Sequence, residues 1–151
     1  MTVDPTPAGL AEMRRLAHRN CVVCSPSNLD GLGVEFVLTD DDGVEAVMKC
    51  SASLEGYRGL IHGGVISSLL DAAMTNCVFA RGEVALTAEL NVRFKQPVVV
   101  GLPATVRAWI KRRYRSLYFA SAELTQNHEI KATAEGKFAG SAKLTGMFGE
   151  A

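Results

Sequence analysis

The sequence predicts an α+β fold in which an antiparallel sheet of five to six strands is wrapped round one long central helix, with a short N-terminal helix. Residues 63–80 form a nearly continuous stretch of apolar or small side chains, which is typical of a buried helix. Residues 84–94 alternate apolar and polar side chains, which indicates a strand. Most other connections are too short for a crossover helix, and this favours antiparallel pairing.

The remaining elements follow from local patterns. Residues 8–19 place apolar side chains on one side and predict the short first helix. Residues 21–31 are rich in turn-forming side chains and predict a loop. Arg81 and Gly82 end the central helix with a cation and a C-terminal glycine. Runs with a period of two, separated by turn residues, predict strands over residues 33–38, 44–54, 84–94, 98–111, 117–125 and 130–138.

The bulk composition bounds the class of protein. A chain of 151 residues is expected to form one domain with a sizeable core. Sixteen basic residues balance sixteen acidic ones, which argues against nucleic-acid binding through bulk electrostatics. No apolar run reaches the roughly 18–20 residues that span a bilayer, and the opening residues lack a leader pattern. We therefore predict a cytoplasmic protein without nucleic-acid or membrane partners.

The four cysteines are interpreted as reduced thiols. Cys21 and Cys24 form a C-x-x-C pair, which could supply half of a zinc site or a redox pair. No second close pair follows, and Cys50 and Cys77 lie alone in apolar surroundings. The sequence therefore predicts no metal site.

Asp71 is the most informative residue, because it places a carboxylate in the otherwise apolar central helix. Burying such a group costs several kcal/mol unless a partner compensates it. The helix offers no cation before Arg81. The alternative to a catalytic role is a structural hydrogen bond at a subunit contact.

Gly63 and Gly64 follow His62 at the start of the same helix and leave backbone N–H groups uncovered at its positive end. Gly64 and Asp71 are seven residues apart, so they share one helical face. Amide donors and a carboxylate are the parts of a site that attacks a carbonyl. Close helix packing is the alternative reason for the glycines. His62 is a candidate site residue in direct contact with the substrate, and its alternative roles are to satisfy hydrogen bonds in the core or to position the loop before the helix.

Two segments resemble a known family. Residues 59–71, Gly-Leu-Ile-His-Gly-Gly-Val-Ile-Ser-Ser-Leu-Leu-Asp, are similar to the signature of hotdog-fold acyl-CoA thioesterases of the phenylacetate-pathway (PaaI-like) type. Residues 87–98 resemble the strand after the helix in that family, and the C-x-x-C loop resembles the N-terminal loop of one branch. The resemblance implies an N-terminal tail and short helix over residues 1–19 and a single hotdog thioesterase domain over residues 20–151.

The resemblance also implies roles. Asp71 is expected to be the general base or nucleophile, the amide of Gly63 or Gly64 to polarise the carbonyl, and Thr87 to position water. An ordinary strand position is the alternative for Thr87. The family's site lies between two subunits, which implies a homodimer, with a homotetramer as the alternative. Another branch has an Asn where this chain has Gly56, so the branch that uses the Thr fits better.

An acyl-CoA substrate implies cations that hold its phosphates. The candidate substrate-binding residues are Asn91, Arg93, Lys95, Arg112, Arg113 and Arg115. A solvated strand end is the alternative for the arginine cluster. No separate cofactor is expected, because coenzyme A is part of the substrate.

Two other functions remain open from the sequence. The first is a non-catalytic acyl-CoA-binding module. The second is a hotdog enoyl-thioester hydratase or dehydratase, which needs a cleft His. His18 and His128 fall in a terminal helix and a turn, and this disfavours the hydratase.

Overall fold

The computed structural model describes residues 3–149 and has the predicted order of elements. The helices are α1 (Pro7–Ala17), α2 (Gly63–Phe79) and α3 (Ala142–Gly149). The strands are β1 (Val37–Leu38), β2 (Val44–Met48), β3 (Ala85–Phe94), β4 (Ala104–Tyr114), β5 (Leu117–Gln126) and β6 (Glu129–Gly140). Of the predicted N-terminal tail, Met1 and Thr2 lie outside the described residues.

A single six-stranded sheet carries the fold. Its order is β1-β2-β4-β5-β6-β3, and every pair of neighbours is antiparallel. Helix α2 packs against one face, with contacts to every strand from β2 to β6. The predicted α+β fold with one central helix is confirmed, and β3 lies at an edge of the sheet.

Helix α2 is buried along its length because its sequence is apolar nearly all round. Most of its side chains from Ile66 to Phe79 are shielded from solvent. At its end Gly82 adopts φ +75°, a left-handed conformation that favours glycine. The Arg81 guanidinium donates to the carbonyl oxygen of Cys77 at 2.9 Å. The predicted cation and glycine therefore do end this helix.

A β-bulge in β3 changes which residues face the helix. The register with β6 shifts between Thr87 and Glu89, so Ala88 has no partner residue. Thr87 pairs with the fully buried Phe138 and therefore faces α2, whereas Glu89 pairs with Lys137 on the outer face. The strict alternation predicted over residues 84–94 placed Thr87 on the outer face and is wrong at this point.

Four other elements differ from the prediction. The strand predicted over residues 98–111 begins only at Ala104 and extends to Tyr114. The strand predicted over residues 33–38 shortens to Val37–Leu38, because Gly33 has φ +59° and the N–H of Val34 donates to Val23. The strand predicted over residues 44–54 ends at Met48 and is followed by a short 3-10 helix, Ala52–Leu54. Helix α3 was not predicted; Ser141 Oγ accepts the N–H of Leu144 at its start.

The N-terminal segment is fastened to the end of α2. The N–H of Thr6 donates to the carbonyl oxygen of Ala80 at 2.8 Å. The hydroxyl of Thr6 accepts the N–H of Gly9 and so caps α1. Within residues 3–149, no helix combines the length and hydrophobicity that a bilayer span requires.

We expect Leu70→Ala to lower the free energy of unfolding by about 2–5 kcal/mol, because the substitution leaves a cavity at a fully buried position of α2. Urea denaturation at one fixed protein concentration measures this change. Leu29→Ala is the control, since Leu29 is exposed in a loop and should change stability little. Equal effects of the two substitutions would contradict this account of the core.

Candidate active site

The structure places Asp71 and Thr87 in direct contact. The Thr87 hydroxyl, Oγ1, donates to Asp71 Oδ1 at 2.7 Å. Asp71 is half-buried, between the buried Leu70 and Ala72 of α2. The bulge at Ala88 turns Thr87 toward the helix and thereby makes this hydrogen bond possible. The carboxylate thus has a hydroxyl partner in place of a cation.

The environment of Asp71 favours the protonated form. Burial raises the pKa of its carboxyl above the ordinary value of 3.8. The hydrogen bond from Thr87 and the charge of His18 oppose this increase, and the charge of Cys21 adds to it. A carboxyl with a raised pKa in a half-buried position is a candidate general base.

The start of α2 separates the roles of the two glycines. His62 caps the helix, and its Nδ1 accepts the N–H of Gly64 at 2.8 Å. Gly64 is therefore occupied as a donor. Among the hydrogen bonds of the described residues, the N–H of Gly63 has no acceptor. Gly63 is thus the amide that is available to a substrate oxygen at the positive end of the helix.

Glycines also make room for the neighbours of this cap. A Cβ at Gly56 would lie 3.0 Å from Cδ2 of His62, so Gly56 lets the imidazole pack closely against the loop. A Cβ at Gly63 would lie 3.5 Å from the ring of Phe94 at the end of β3. The position of Phe94 beside the helix start could not be predicted from the sequence, because its apolar side chain indicated only a strand residue.

The predicted substrate-binding residues divide between the two faces of the sheet. Asn91, Arg93, Lys95 and Arg112 line an open groove of about 690 Å³ on the face away from α2. Arg113 faces the helix side, where it forms a 3.1 Å ion pair with Glu83. Arg115 lies in the β4–β5 turn with φ +56° and its guanidinium over the ring of Tyr114. The structure therefore brings four of these six residues together.

One chain does not bring its own amide donor to its own acid. Gly63 and Asp71 are eight residues apart on one straight helix, which separates them by about 12 Å along its axis. A single thioester carbonyl cannot contact both groups at that separation. A shared helical face, as predicted from the sequence, therefore does not bring the amide donor and the carboxylate of one chain to the same carbonyl group.

Comparison with known proteins identifies the chain's relatives. The sequence model described as Thioesterase superfamily matches residues 58–132. Acyl-coenzyme A thioesterase THEM4 from Bos taurus is 36% identical over 72 residues, which are 46% of this chain and 29% of that protein. These matched residues include the start of α2, Asp71 and most of the sheet.

Solved structures show the same fold. The PaaI protein of the E. coli phenylacetic acid degradation operon superposes with a TM-score of 0.76 at 18% identity, over 90% of this chain and 96% of that one. A phenylacetic acid degradation-related protein from Ralstonia eutropha JMP134 gives a TM-score of 0.69 at 25% identity, over 85% and 98%.

The hotdog fold and the resemblance to PaaI-like thioesterases are thereby confirmed. The chain spans less than two thirds of the length of the first curated relatives that it matches. None of these matches tests the predicted site residues or the domain boundaries, which stay predictions.

We expect Asp71→Asn to stabilise the folded protein at neutral pH, because the buried carboxyl has a raised pKa. The folded state then binds the proton more tightly than the unfolded state, so ionisation costs stability above the folded pKa. The gain should shrink as the pH falls through the folded pKa and vanish below about 3.8. Urea unfolding midpoints across this pH range measure it.

Asp40→Asn serves as the control for this stability difference. Asp40 is exposed in the turn between β1 and β2, so replacing its carboxylate by an amide should change stability little. A destabilised Asp71→Asn protein at neutral pH would contradict the stated cost of the buried charge. The side-chain oxygen of Asn at position 71 can still accept the hydrogen bond from Thr87. The difference in stability between the parent and the variant therefore reports mainly the cost of the charge.

Proposed function

We propose that this chain, whose residues 58–132 match the Thioesterase superfamily sequence model, is an acyl-CoA thioesterase that hydrolyses an acyl- or aryl-CoA to the free acid and CoA. The observation that carries the proposal is the half-buried Asp71 carboxylate bonded to Thr87 at an open edge of the sheet. Relatives named acyl-coenzyme A thioesterases support this activity. A solved relative from Streptococcus mutans, bound to acetyl CoA, supports the substrate class.

The edge strand β3 supports a homodimer. It is ten residues long, and its outer edge has no partner strand among the described residues. Leu86 and Phe94 on this strand are 60% and 56% exposed. A long edge strand with exposed apolar side chains is a template for pairing with another chain. A second copy that pairs antiparallel through β3 would cover these side chains around a twofold axis.

Such a pairing completes the site. Thr87 and Asp71 lie near the start of β3, and Phe94 and Gly63 lie at its end. A twofold axis near the middle of β3 places the end of one copy beside the start of the other. Asp71 of one subunit would then face Gly63 of the partner subunit, and a dimer would hold two such sites. Pairing of two dimers into a tetramer remains compatible with this arrangement.

The proposed reaction uses each group once. Thr87 holds one oxygen of Asp71, and the other accepts a proton from a water molecule as that water attacks the thioester carbon. The carbonyl oxygen becomes an oxyanion and accepts the N–H of Gly63. Collapse of the intermediate breaks the carbon–sulfur bond and expels CoA as a thiolate, which takes from Asp71 the proton that came from water, so the carboxylate is regenerated. Direct attack by Asp71 would instead form an acyl-aspartyl anhydride, which rapid-quench mass spectrometry detects.

The outer-face groove supports a site for the phosphates of CoA. Arg93 and Lys95 are exposed on either side of Phe94 in the sequence, at the end of β3 that lies beside Gly63 of α2. Cations at this position can meet the nucleotide while the thioester lies at the strand edge. Arg112 lies over the ring of Phe119 at 3.9 Å and is held on the same face.

We expect Gly63→Pro to lower kcat by about 10²–10³-fold, because it deletes one oxyanion donor. His62 has φ −59° and ψ 133°, which suits a residue before proline, and proline is tolerated at the first helical position. Gly63→Ala is the matched control: it keeps the N–H and adds a Cβ at an ordinary 3.5 Å contact with Phe94. Free-thiol release from a panel of acyl-CoAs measures the rates.

The same panel separates the rival functions. Tight acyl-CoA binding without thiol release by the parent protein would favour a binding module. Water addition to an enoyl-CoA without thiol release would favour a hydratase. Either result overturns the proposed hydrolysis, and unchanged kcat in Gly63→Pro would remove the amide from the mechanism.

We expect mixed dimers of Asp71→Asn and Gly63→Pro to regain activity, because each mixed dimer has one site with both an intact acid and an intact amide. Random exchange of subunits should restore about a quarter of the parent rate, since half of the dimers are mixed and each has one working site. Activity of the mixture after subunit exchange, relative to either variant alone, measures this. No recovery would place both groups of a site in one chain.

A further inference from the structure

A second cluster of reactive side chains lies on the loop after α1, apart from the strand edge. His18 ends this helix, and its Nδ1 lies 3.4 Å from Sγ of Cys24. The ligand atoms of His18, Cys21 and Cys24 all lie within 4.8 Å of one another. The side chains of His18 and Cys21 are partly buried and that of Cys24 is buried. Neither cysteine forms a disulfide. Proximity of this kind was not apparent from the C-x-x-C spacing alone.

These distances suit one thiophilic metal ion. Zinc binds sulfur at about 2.3 Å and imidazole nitrogen at about 2.0–2.1 Å, so tetrahedral ligand atoms lie roughly 3.3–3.8 Å apart. The separation of His18 Nδ1 and Cys24 Sγ already falls in that range. A small movement of Cys21 Sγ toward the other two ligand atoms would bring all three into the range for one zinc ion.

The backbone around Cys21 is arranged for a thiolate. The N–H groups of Val23 and Cys24 both donate to Sγ of Cys21, at 3.3 and 3.4 Å. A neutral thiol is a weak acceptor, whereas a metal-bound thiolate carries the charge that two such donors stabilise. The loop also lies at the C-terminal end of α1, where the helix dipole is negative and favours a cation.

The loop is held rigidly in this shape. Leu32 and Val34 donate their N–H groups to the carbonyl oxygens of Val22 and Val23, both at 2.8 Å. A Cβ at Gly31 would lie 2.4 Å from the carbonyl oxygen of Val22, so only glycine permits this approach. The hydroxyl of Ser25 donates to the carbonyl oxygen of Arg19 at 2.8 Å. Both flanks of the pair are therefore fixed before any ligand binds.

We propose that His18, Cys21 and Cys24 bind one Zn²⁺ ion, with a water molecule from the adjoining cleft as the fourth ligand. The cleft has a volume of about 340 Å³, and its lining includes Arg14, His18, Cys24 and Ser25. Two thiolates neutralise the charge of the ion. Arg14 donates to the carbonyl oxygens of Cys24 and Phe36, which anchors its charge on the backbone.

The ion would fasten the N-terminal segment to the central helix. The ring of His18 packs edge-on against Phe79 of α2, with the ring centres 4.6 Å apart. Metal binding therefore joins α1, the cysteine loop and the end of α2 into one unit. Because the ligands come together only in the folded chain, binding adds to the stability of the fold.

The test is metal analysis of the whole chain, purified without an affinity tag that binds metals and under reducing conditions. We expect about one zinc ion per chain in the parent and in Cys50→Ala, a buried thiol outside the cluster. Cys21→Ser and His18→Gln should lose most of the metal. Equal zinc content in parent and variants, or zinc far below one per chain, would overturn the proposal.

A second measurement uses only the parent protein, so it does not depend on whether the variants fold. The parent protein, stripped with a chelator and titrated with Co²⁺, should develop the thiolate-to-cobalt charge-transfer band of a tetrahedral sulfur site. Its thermal unfolding midpoint should rise when Zn²⁺ is added back. Absence of the band, or a Cys21–Cys24 disulfide that persists in reductant and excludes metal, would contradict the assignment. Neither result depends on thioesterase activity, so the two proposals fail independently.

Discussion

The hydrogen bond between Thr87 and Asp71 is the contact on which the arrangement of this molecule depends. A carboxylate in the middle of an apolar helix needs a donor, and the sheet can supply one only if a side chain leaves the regular alternation of β3. The bulge at Ala88 provides that change of face. Without it, the neighbours of the carboxylate on the strand would be Leu86 and Ala88, which have no donor to offer through their side chains. The hydrogen bond to Asp71 therefore depends on the bulge in β3. Bulges that turn a side chain to the other face are common in β-strands near functional groups.

The geometry of a straight helix imposes the second constraint. Its positive end and its acid lie on one rigid element, separated by about 12 Å. No side-chain rotation shortens that distance, and the N–H of Gly64 is already bonded to His62. The free amide of Gly63 and the carboxylate can serve one substrate only if two helices run past each other. Within residues 3–149 the outer edge of β3 has no neighbouring strand, and because this edge lies beside both groups it gives the simplest route to that arrangement.

Much of the fold could be predicted because its signals are local. The apolar run from Gly63 to Phe79, the turn at Gly82 and the alternation in the long strands depend on neighbouring residues. Other features could not be predicted, since they depend on partners distant in the chain. The face of Thr87 is set by register with Phe138, and the end of the early strand is set by Val34 bonding to Val23. Asp71 could be singled out as a candidate from the cost of burying its carboxylate and from the family resemblance, whereas the different hydrogen bonding of the Gly63 and Gly64 N–H groups depends on the position of the His62 ring.

The N-terminal segment packs against the end of α2. Burial raises the pKa of Asp71, so its charge is expected to lower stability at neutral pH, and within residues 3–149 the edge of β3 leaves the apolar side chains of Leu86 and Phe94 exposed. The opposite end of α2 is held by contacts with the N-terminal segment: the N–H of Thr6 bonds to the carbonyl oxygen of Ala80, and the ring of His18 packs on Phe79. Residues that cost stability therefore lie toward the middle and start of the helix, and residues that fix it lie at its end. A metal ion at His18, Cys21 and Cys24 would strengthen that fixed end without touching the strand edge where a substrate would bind.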